Sequence, residues 1–298
     1  MTSRVTVIIP NYNRQNTIGR AIESVLRQTY PNWNLIVADD GSTDRSQEII
    51  GAFHDPRIQL VRRGQNGGNA AARNTGLDHA TGDYIAFLDS DDTFEPTFLE
   101  KSLQNPDLAG EVGFSWVGTQ LVDIDGSVHN KPCWQPSEKY WNNPYHFFYE
   151  LHIGTGKGLV LRRECLDDGL RFDEQFRVAV DTDFLLRLRQ KWKYTFVNEH
   201  LYTNYLQPGS VRTDTSKKME SYRVMLDKYG KVIHSSRTLI EKWYYKYLWL
   251  CLHNGNWIGS NVALRQLKAN RTKALMLYAA FRLLPRDMAK NLHKRIAH

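Results

Sequence analysis

Over the first hundred positions, short aliphatic and β-branched runs alternate with stretches whose apolar residues recur every three or four places. The first kind suits strands buried on both faces and the second suits helices with one buried face. Their alternation predicts βαβ units on a mostly parallel sheet, an α/β fold. Residues 5–9 read as the first strand. Ile18, Ala21, Ile22, Val25 and Leu26 fall at helical spacing and predict a helix over 16–29, which Pro31 ends. A second buried strand over 35–38 runs into Asp39-Asp40-Gly41-Ser42-Thr43-Asp44, small polar residues that turn the chain and cap a helix reaching Ile50. A strand over 58–61, a Gly- and Asn-rich loop over 64–69, a helix to about Ala80 and a strand over 84–88 complete the series. Residues 113–162 look mixed, with aromatic-rich loops, and from 215 onward the spacing is helical.

The strand over 84–88 ends in Asp89-Ser90-Asp91-Asp92. In open α/β sheets, ligands bind in the crevice beyond the C-terminal strand ends, so this acidic cluster stands where chemistry is expected. Three carboxylates so close repel one another unless a positive charge lies between them. A hard divalent cation, Mn2+ or Mg2+, prefers oxygen ligands and is commonly shared between one or two carboxylates and a substrate's phosphates. The short string by itself is equally compatible with a solvated acidic turn in which Asp92 caps the next helix.

With 298 residues and 41% hydrophobic content the chain can fill a sizeable core, which argues against disorder. Cys133, Cys165 and Cys251 are far apart and show no CxxC pairing, so a reducing, cytosolic setting fits better than a disulfide framework. The apolar run over 5–9 is too short for a signal peptide or anchor, and no stretch predicts a spanning helix. None of the ten histidines forms an HExxH or other metal-spaced pair. Charge is divided unevenly. Residues 1–212 hold 22 Lys and Arg against 27 Asp and Glu, a net −5, whereas 213–298 hold 17 against 5, a net +12. Such asymmetry points the C-terminal part at an anionic surface, either nucleic acid or the inner leaflet of a membrane.

Several strings occur in order: VIIPNYN at 7–13, VADDGSTD at 37–44, NGGNAAARNTGL at 66–77, GDYIAFLDSDD at 82–92, GKGLVLRREC at 156–165, RFDEQF at 171–176 and VDTDFLLRL at 180–188. Together they resemble the family 2 glycosyltransferases of the GT-A fold, which are inverting and use nucleotide-sugar donors. The resemblance implies a catalytic domain over 1–212, with a nucleotide-binding half at 1–100 and an acceptor-side half at 101–212, followed by a basic helical region at 213–298. It implies that the Pro10 backbone and the Tyr12 side chain line the nucleotide pocket. Asp40 would accept from the base's imide N–H, which favours uracil or thymine and hence a UDP-sugar or dTDP-sugar. Arg73 and Asn66 would meet the base or phosphates, a surface salt bridge being the alternative for Arg73. Asp89 would face the ribose or the metal, and Asp91 would ligate Mn2+ or Mg2+. Asp39 reads instead as a turn and cap residue.

VDTDFLLR looks like the family's ED-x-D-L-x-L-R segment at the start of a helix, so Asp181 matches the catalytic base. Val180 replaces the preceding Glu, removing a carboxylate that often helps acceptor binding in the family. Asp183 reads as a first-turn charge favoured by the helix dipole. Gln207 stands where many relatives place a metal-binding histidine. Arg212 then either compensates at the diphosphate or is a loop charge. Trp134, Tyr140, Trp141, Tyr145, Phe147, Phe148 and Tyr149 suit either stacking on acceptor sugars or core packing.

The activity so implied is sugar transfer to a hydroxyl of a polysaccharide or glycolipid acceptor in cell-surface glycan synthesis, carried out in the cytoplasm or peripherally at the inner face of the membrane. Trp243, Tyr244, Tyr247, Leu248 and Cys251, and then Leu275, Tyr278, Ala279, Arg282 and Leu283, recur at helical spacing, so at least one face must bury. A helical subdomain packed on the catalytic domain or on another protomer satisfies this, and so does a basic, aromatic surface resting on anionic lipid. Lys268, Arg271, Lys273, Arg282, Arg286, Lys290, Lys294 and Arg295 are the candidate cations for such a surface. The rival readings are a catalytically weak nucleotide-sugar-binding module, a membrane- or nucleic-acid-binding module, and a nucleotidyltransferase. Only the basic tail suggests nucleic acid, which is therefore not expected. VIIPNYN lacks the Gly-rich, Lys-containing phosphate loop of a nucleotidyltransferase.

Overall fold

Every residue of β1 (Val5–Asn11) and of β2 (Trp33–Asp39) is buried, which is why both read as continuous rather than alternating apolar runs. They pair in parallel, Val5 beside Trp33 through to Asn11 beside Asp39. β3 (Ile58–Arg62) adds outside β2, and β4 (Tyr84–Phe87) lies on the other side of β1, both parallel. Beyond β4 the sheet becomes mixed, with β5 (Thr93–Phe94), β6 (Val112–Val122), β7 (Val128–Asn130), β8 (Val160–Arg162) and β9 (Lys193–Tyr205). The order is β3-β2-β1-β4-β8-β6-β9-β5, with β7 on β6. The computed structural model describes residues 3–105, 108, 110–130, 157–206, 214–269, 271–284 and 288–289. It divides into two compact units, one of Met1–His146, Leu151–Glu174 and Val180–Pro208, the other of Phe147–Glu150, Gln175–Ala179 and Gly209–His298.

In the first unit the helices are α1 (Ile18–Leu26), α2 (Ser46–Gly51), α3 (Asn69–His79), α4 (Phe98–Leu103) and α5 (Val180–Arg189). α1 buries Ile18, Ala21, Ile22 and Val25, most of the stripe that its periodicity marks, against the faces of β1 and β2. α3 sits unusually close to the sheet, because a Cβ on Gly76 would lie 2.4 Å from Cγ2 of the buried Ile8. α5 is seated by aromatic packing. Phe184 stacks on Phe172 with ring centroids 4.1 Å apart, and Phe87 at the end of β4 meets Phe172 edge-on at 5.3 Å.

The second unit holds α6 (Thr215–Lys228), α7 (Gly230–His234), α8 (Arg237–His253), α9 (Trp257–Gln266) and α10 (Arg271–Leu283). Asp214 caps α6 by accepting the Ser216 and Lys217 N–H groups at 3.0 Å each. Trp243, Tyr244, Tyr247, Leu248 and Cys251 are buried on α8, as their spacing predicts. α10 corrects the sequence reading. Its buried residues are Ala274, Leu277, Ala280 and Phe281, while Leu275, Ala279, Arg282 and Leu283 of the expected stripe are exposed. The helix is apolar on two faces, and spacing alone does not say which one finds a neighbour. Among the described residues, no helix is long and apolar enough to cross a membrane.

Candidate active site

Because β1, β2 and β4 run parallel and in register, their C-terminal ends share one edge of the sheet. Asp39 ends β2, and Tyr12, Asp40 and the 89–92 turn follow the strand ends. The turn is closed by the Asp92 N–H donating to the Asp89 carbonyl at 3.0 Å. Arg20 of α1 donates to the Asp91 carbonyl at 2.8 Å while its guanidinium lies 3.5 Å over the Tyr205 ring, pinning the turn to the end of β9.

The three carboxylates of the turn have different surroundings. Asp92 is fully buried and saturated. Its Oδ1 accepts from Asn204 Nδ2 at 2.7 Å and the Tyr205 N–H at 3.0 Å, and its Oδ2 accepts from the Tyr202 hydroxyl at 2.7 Å and from Lys157. Asp92 therefore ties β9 to the turn and does not cap a helix. Burial and the charges of Asp92 and Asp89 push the Tyr202 hydroxyl well above its ordinary pKa, so it stays a donor. Asp89 accepts from Lys157 Nζ at 3.1 Å on one oxygen and from Arg73 Nη2 at 2.8 Å on the other. Burial would raise its pKa, but the Lys157 and Arg73 charges hold it well below the usual carboxylate range. For Asp91, burial and then the like charges of Asp92 and Asp89 push the pKa up to about 6, only partly offset by Lys157 and by Arg14, whose Nε is 3.8 Å away.

Arg73 links this turn to α5. Its Nη1 holds Asp181 while Nη2 holds Asp89, and its side chain is only 4% exposed, over Phe172 and Phe87 at 5.2 and 5.8 Å. The neighbouring Asn74 clamps the backbone of Phe172 in both directions, accepting its N–H at 2.8 Å and donating to its carbonyl at 2.9 Å. Burial opposes the Arg73 charge, yet Asp181 and Asp89 raise its pKa above the ordinary arginine value. Of four carboxylate charges in the cluster, Arg73 and Lys157 offset two, and the more distant Arg14 offsets part of a third.

Asp40, also buried, is engaged within the protein. Oδ1 accepts from Arg63 Nε at 2.8 Å and the Gly67 N–H at 3.0 Å, and Oδ2 from the Gly68 N–H at 2.7 Å. Asp39 builds the turn, as its type predicts, accepting the Ser42 N–H at 2.9 Å, Asn11 Nδ2 at 2.7 Å and Gln47 Nε2 at 2.7 Å. Asp183 is a buried first-turn charge paired with Arg187 at 2.6 Å. Pro10 is buried in β1, Tyr12 is 42% exposed at the edge, and Asn66 is exposed in the loop before α3. Gln207, Arg212 and the aromatic residues of 134–149 lie outside the described residues. Lys157, Tyr202, Arg20 and Arg63 are site residues that the sequence reading does not single out. Beside Lys157, Gly158 has a φ of +66° and no room for a Cβ next to Val117, which fixes the local path of the chain.

A parallel half-sheet continued by a mixed half, with acidic residues at the strand ends, is the arrangement of a GT-A glycosyltransferase fold. The family model described as "Glycosyl transferase family 2" matches residues 6–170, just over half the chain. The putative colanic acid biosynthesis glycosyl transferase WcaA of Escherichia coli strain K12 is 30% identical over 243 residues, 76% of this chain and 83% of that protein. The chain belongs to glycosyl transferase family 2. Another Escherichia coli relative, UDP-Glc:alpha-D-GlcNAc-diphosphoundecaprenol beta-1,3-glucosyltransferase WfgD, is 46% identical over 124 residues, 42% of this chain and 49% of its own length. Among solved structures, S. aureus TarS 1-349 in complex with UDP-GlcNAc superposes with a TM-score of 0.65 at 16% identity, covering 98% of this chain and 90% of that one. The mannosyltransferase PcManGT of Pyrobaculum calidifontis, in complex with GDP-Man and Mn2+, gives 0.60 at 17% identity, covering 100% and 85%.

Proposed function

We propose that this family 2 enzyme is an inverting transferase that moves a sugar from a UDP-sugar, or else a dTDP-sugar, to a hydroxyl of a polysaccharide or lipid-linked glycan in cell-surface glycan synthesis. The observation that carries the reading is the Arg73 guanidinium shared by Asp181 and Asp89, which keeps a base candidate and the strand-end carboxylates within reach of one side chain. The names of the colanic acid and diphosphoundecaprenol relatives support the acceptor class, and the nucleotide sugars named in the two structures support the donor class.

The carboxylates fit a divalent ion. Asp89, Asp91 and Asp92 offer oxygens within 4.8 Å of one another, and the charge left over by Arg73 and Lys157 is negative. Because Asp92 is saturated, Asp91 with Asp89 would hold Mn2+ or Mg2+. Bound there, the ion would neutralise charge gathering on the leaving diphosphate. Asp181 would accept the proton of the attacking acceptor hydroxyl. That hydroxyl attacks the face opposite the leaving group, so the anomeric configuration inverts. Arg73 orients the Asp181 carboxylate and would meet the diphosphate only by exchanging one of its two ion pairs for it. Pro10, Tyr12, Asn66 and Asp40 would frame the base and ribose, Asp40 after releasing part of its internal contacts, with Arg212 toward the diphosphate. Residues 1–212 would carry the chemistry, and 213–298 would hold the enzyme at the inner face of the membrane.

The test is a panel of nucleotide sugars with Mn2+, read first as protection from thermal unfolding and then as product anomer by NMR. Protection by a UDP- or dTDP-sugar and an inverted product are expected. Protection by neither donor class, or retained configuration, would overturn the reading.

A further inference from the structure

The outward face of α10 is apolar and bordered by cations. Leu275, Met276 and Leu283 are 48%, 56% and 81% exposed, with the exposed Ala279 between them. At helical spacing these four span about 100° of the circumference, the width of a stripe that normally finds a partner. Arg271 and Arg282 flank one side of the stripe and Lys273 the other, all three exposed, and residues 271–283 contain no acid. On α9, Ile258 at 82% and Val262 at 48% exposure lie one turn apart on a face that continues to the exposed Arg265. The two helices are stapled where Trp257 meets the Tyr278 ring at 5.7 Å and the Arg282 guanidinium covers Trp257 at 4.7 Å. Leu284 and Met288 extend the exposed apolar surface.

Charge decides what covers this face. Residues 213–298 carry +12, so a second copy would bring like charge against it. A nucleic-acid backbone would use the cations and leave the aliphatic side chains in water. An anionic bilayer satisfies both, since the stripe enters the headgroup–acyl boundary while the arginines and lysine stay among lipid phosphates. We infer that α10, with the outward edge of α9, is an in-plane docking face for an anionic lipid bilayer. This deepens, and rests on, the proposed work at a membrane surface. The exposed side chains are aliphatic, whereas Trp257 and Tyr278 are half-buried, so the face differs from the aromatic one that the sequence suggests.

The test is flotation of the full chain with vesicles of phosphatidylglycerol and phosphatidylcholine, compared with phosphatidylcholine alone, at low and physiological salt. Binding to the anionic vesicles that weakens with salt is expected. Lys273→Gln should weaken partitioning about fivefold. The combined change of Leu275, Met276 and Leu283 to Ser should weaken it by at least about a hundredfold. Because all these side chains are exposed, the variants should keep the wild-type circular dichroism. Equal binding to neutral vesicles, no binding by either, or a dimer in lipid-free solution that the serine variant abolishes would each overturn the inference. Nucleotide-sugar protection measured on the same preparations separates the two readings. Donor binding without lipid binding sinks the docking face and leaves the transferase standing.

Discussion

Nη2 of Arg73 donates to Oδ1 of Asp89 at 2.8 Å while the other arm of the same guanidinium holds Asp181. One buried cation thus serves two carboxylates from different elements. Arg73→Leu would leave both without a counter-charge, an arrangement that costs about 3 kcal/mol or more. Denaturant unfolding of the purified variant should show a loss of that order. An unchanged midpoint would mean that Arg73 is dispensable to the fold.

Asp181→Asn keeps the side chain's shape and leaves the pairing of Arg73 with Asp89 in place. It should preserve donor affinity and lower transfer by about 10² to 10⁴. Calorimetric titration of the donor beside single-turnover transfer distinguishes the outcomes. Equal loss of affinity and rate would make Asp181 a binding residue.

Asp91 and Asp92 should respond oppositely to the same change. Asp91→Asn should abolish the stabilisation that Mn2+ gives and, by removing a repelled charge, raise metal-free stability near neutral pH by on the order of 2 kcal/mol. Asp92→Asn removes the charge that meets Lys157, Tyr202 and Asn204 and should destabilise by about 2 to 3 kcal/mol. Thermal melts with and without Mn2+ check both. A metal response surviving in Asp91→Asn would move the ion to other ligands.

The raised pKa of Asp91 gives a pH dependence with a definite sign. Its value is about 6 in the folded chain against 3.8 for the free side chain, so between these values the folded state binds more protons than the unfolded one. Metal-free stability from this group therefore falls as pH rises from about 4 to 6, by on the order of 2 kcal/mol. Asp89 is shifted the other way and has released its proton throughout that window. Unfolding in chelator across the range, with Asp91→Asn as control, should isolate the contribution of Asp91, and Mn2+ should reverse it by displacing the proton. A wild type that tracked the control at every pH would contradict this.

What the sequence made legible is local. β1 to β4 and the helices between them announce themselves because each buries a continuous run or a single stripe, and the strand-end acids follow once the sheet is parallel. The partners of those acids were hidden because they arrive from far along the chain: Lys157 to Asp89 and Asp92, Tyr202 and Asn204 to Asp92, Arg63 and the 67–68 amides to Asp40. A lysine in a Gly-Lys-Gly string carries no mark of such a contact. A cap was the local alternative open to Asp92 for a similar reason, since its real partners on β9 are distant in the chain. On α10 the spacing marks an apolar face and is silent on what covers it, which is why packing and a lipid surface both stay open there.

Gly76 lies one helical turn after Arg73, and the methyl group it lacks sets the clearance between α3 and Ile8 on β1. An alanine there would act as a wedge, lifting the stretch of helix from which Arg73 reaches out. A displacement of about 1 Å in a catalytic group can lower a rate about a hundredfold. A lesion at Gly76 would therefore cost about 1 to 3 kcal/mol of stability through overpacking against Ile8 and, in the folded enzyme that remains, disturb the alignment between its acid turn and its base. Anyone adapting this scaffold to a new donor would find that hidden shim harder to change than any residue lining the cleft.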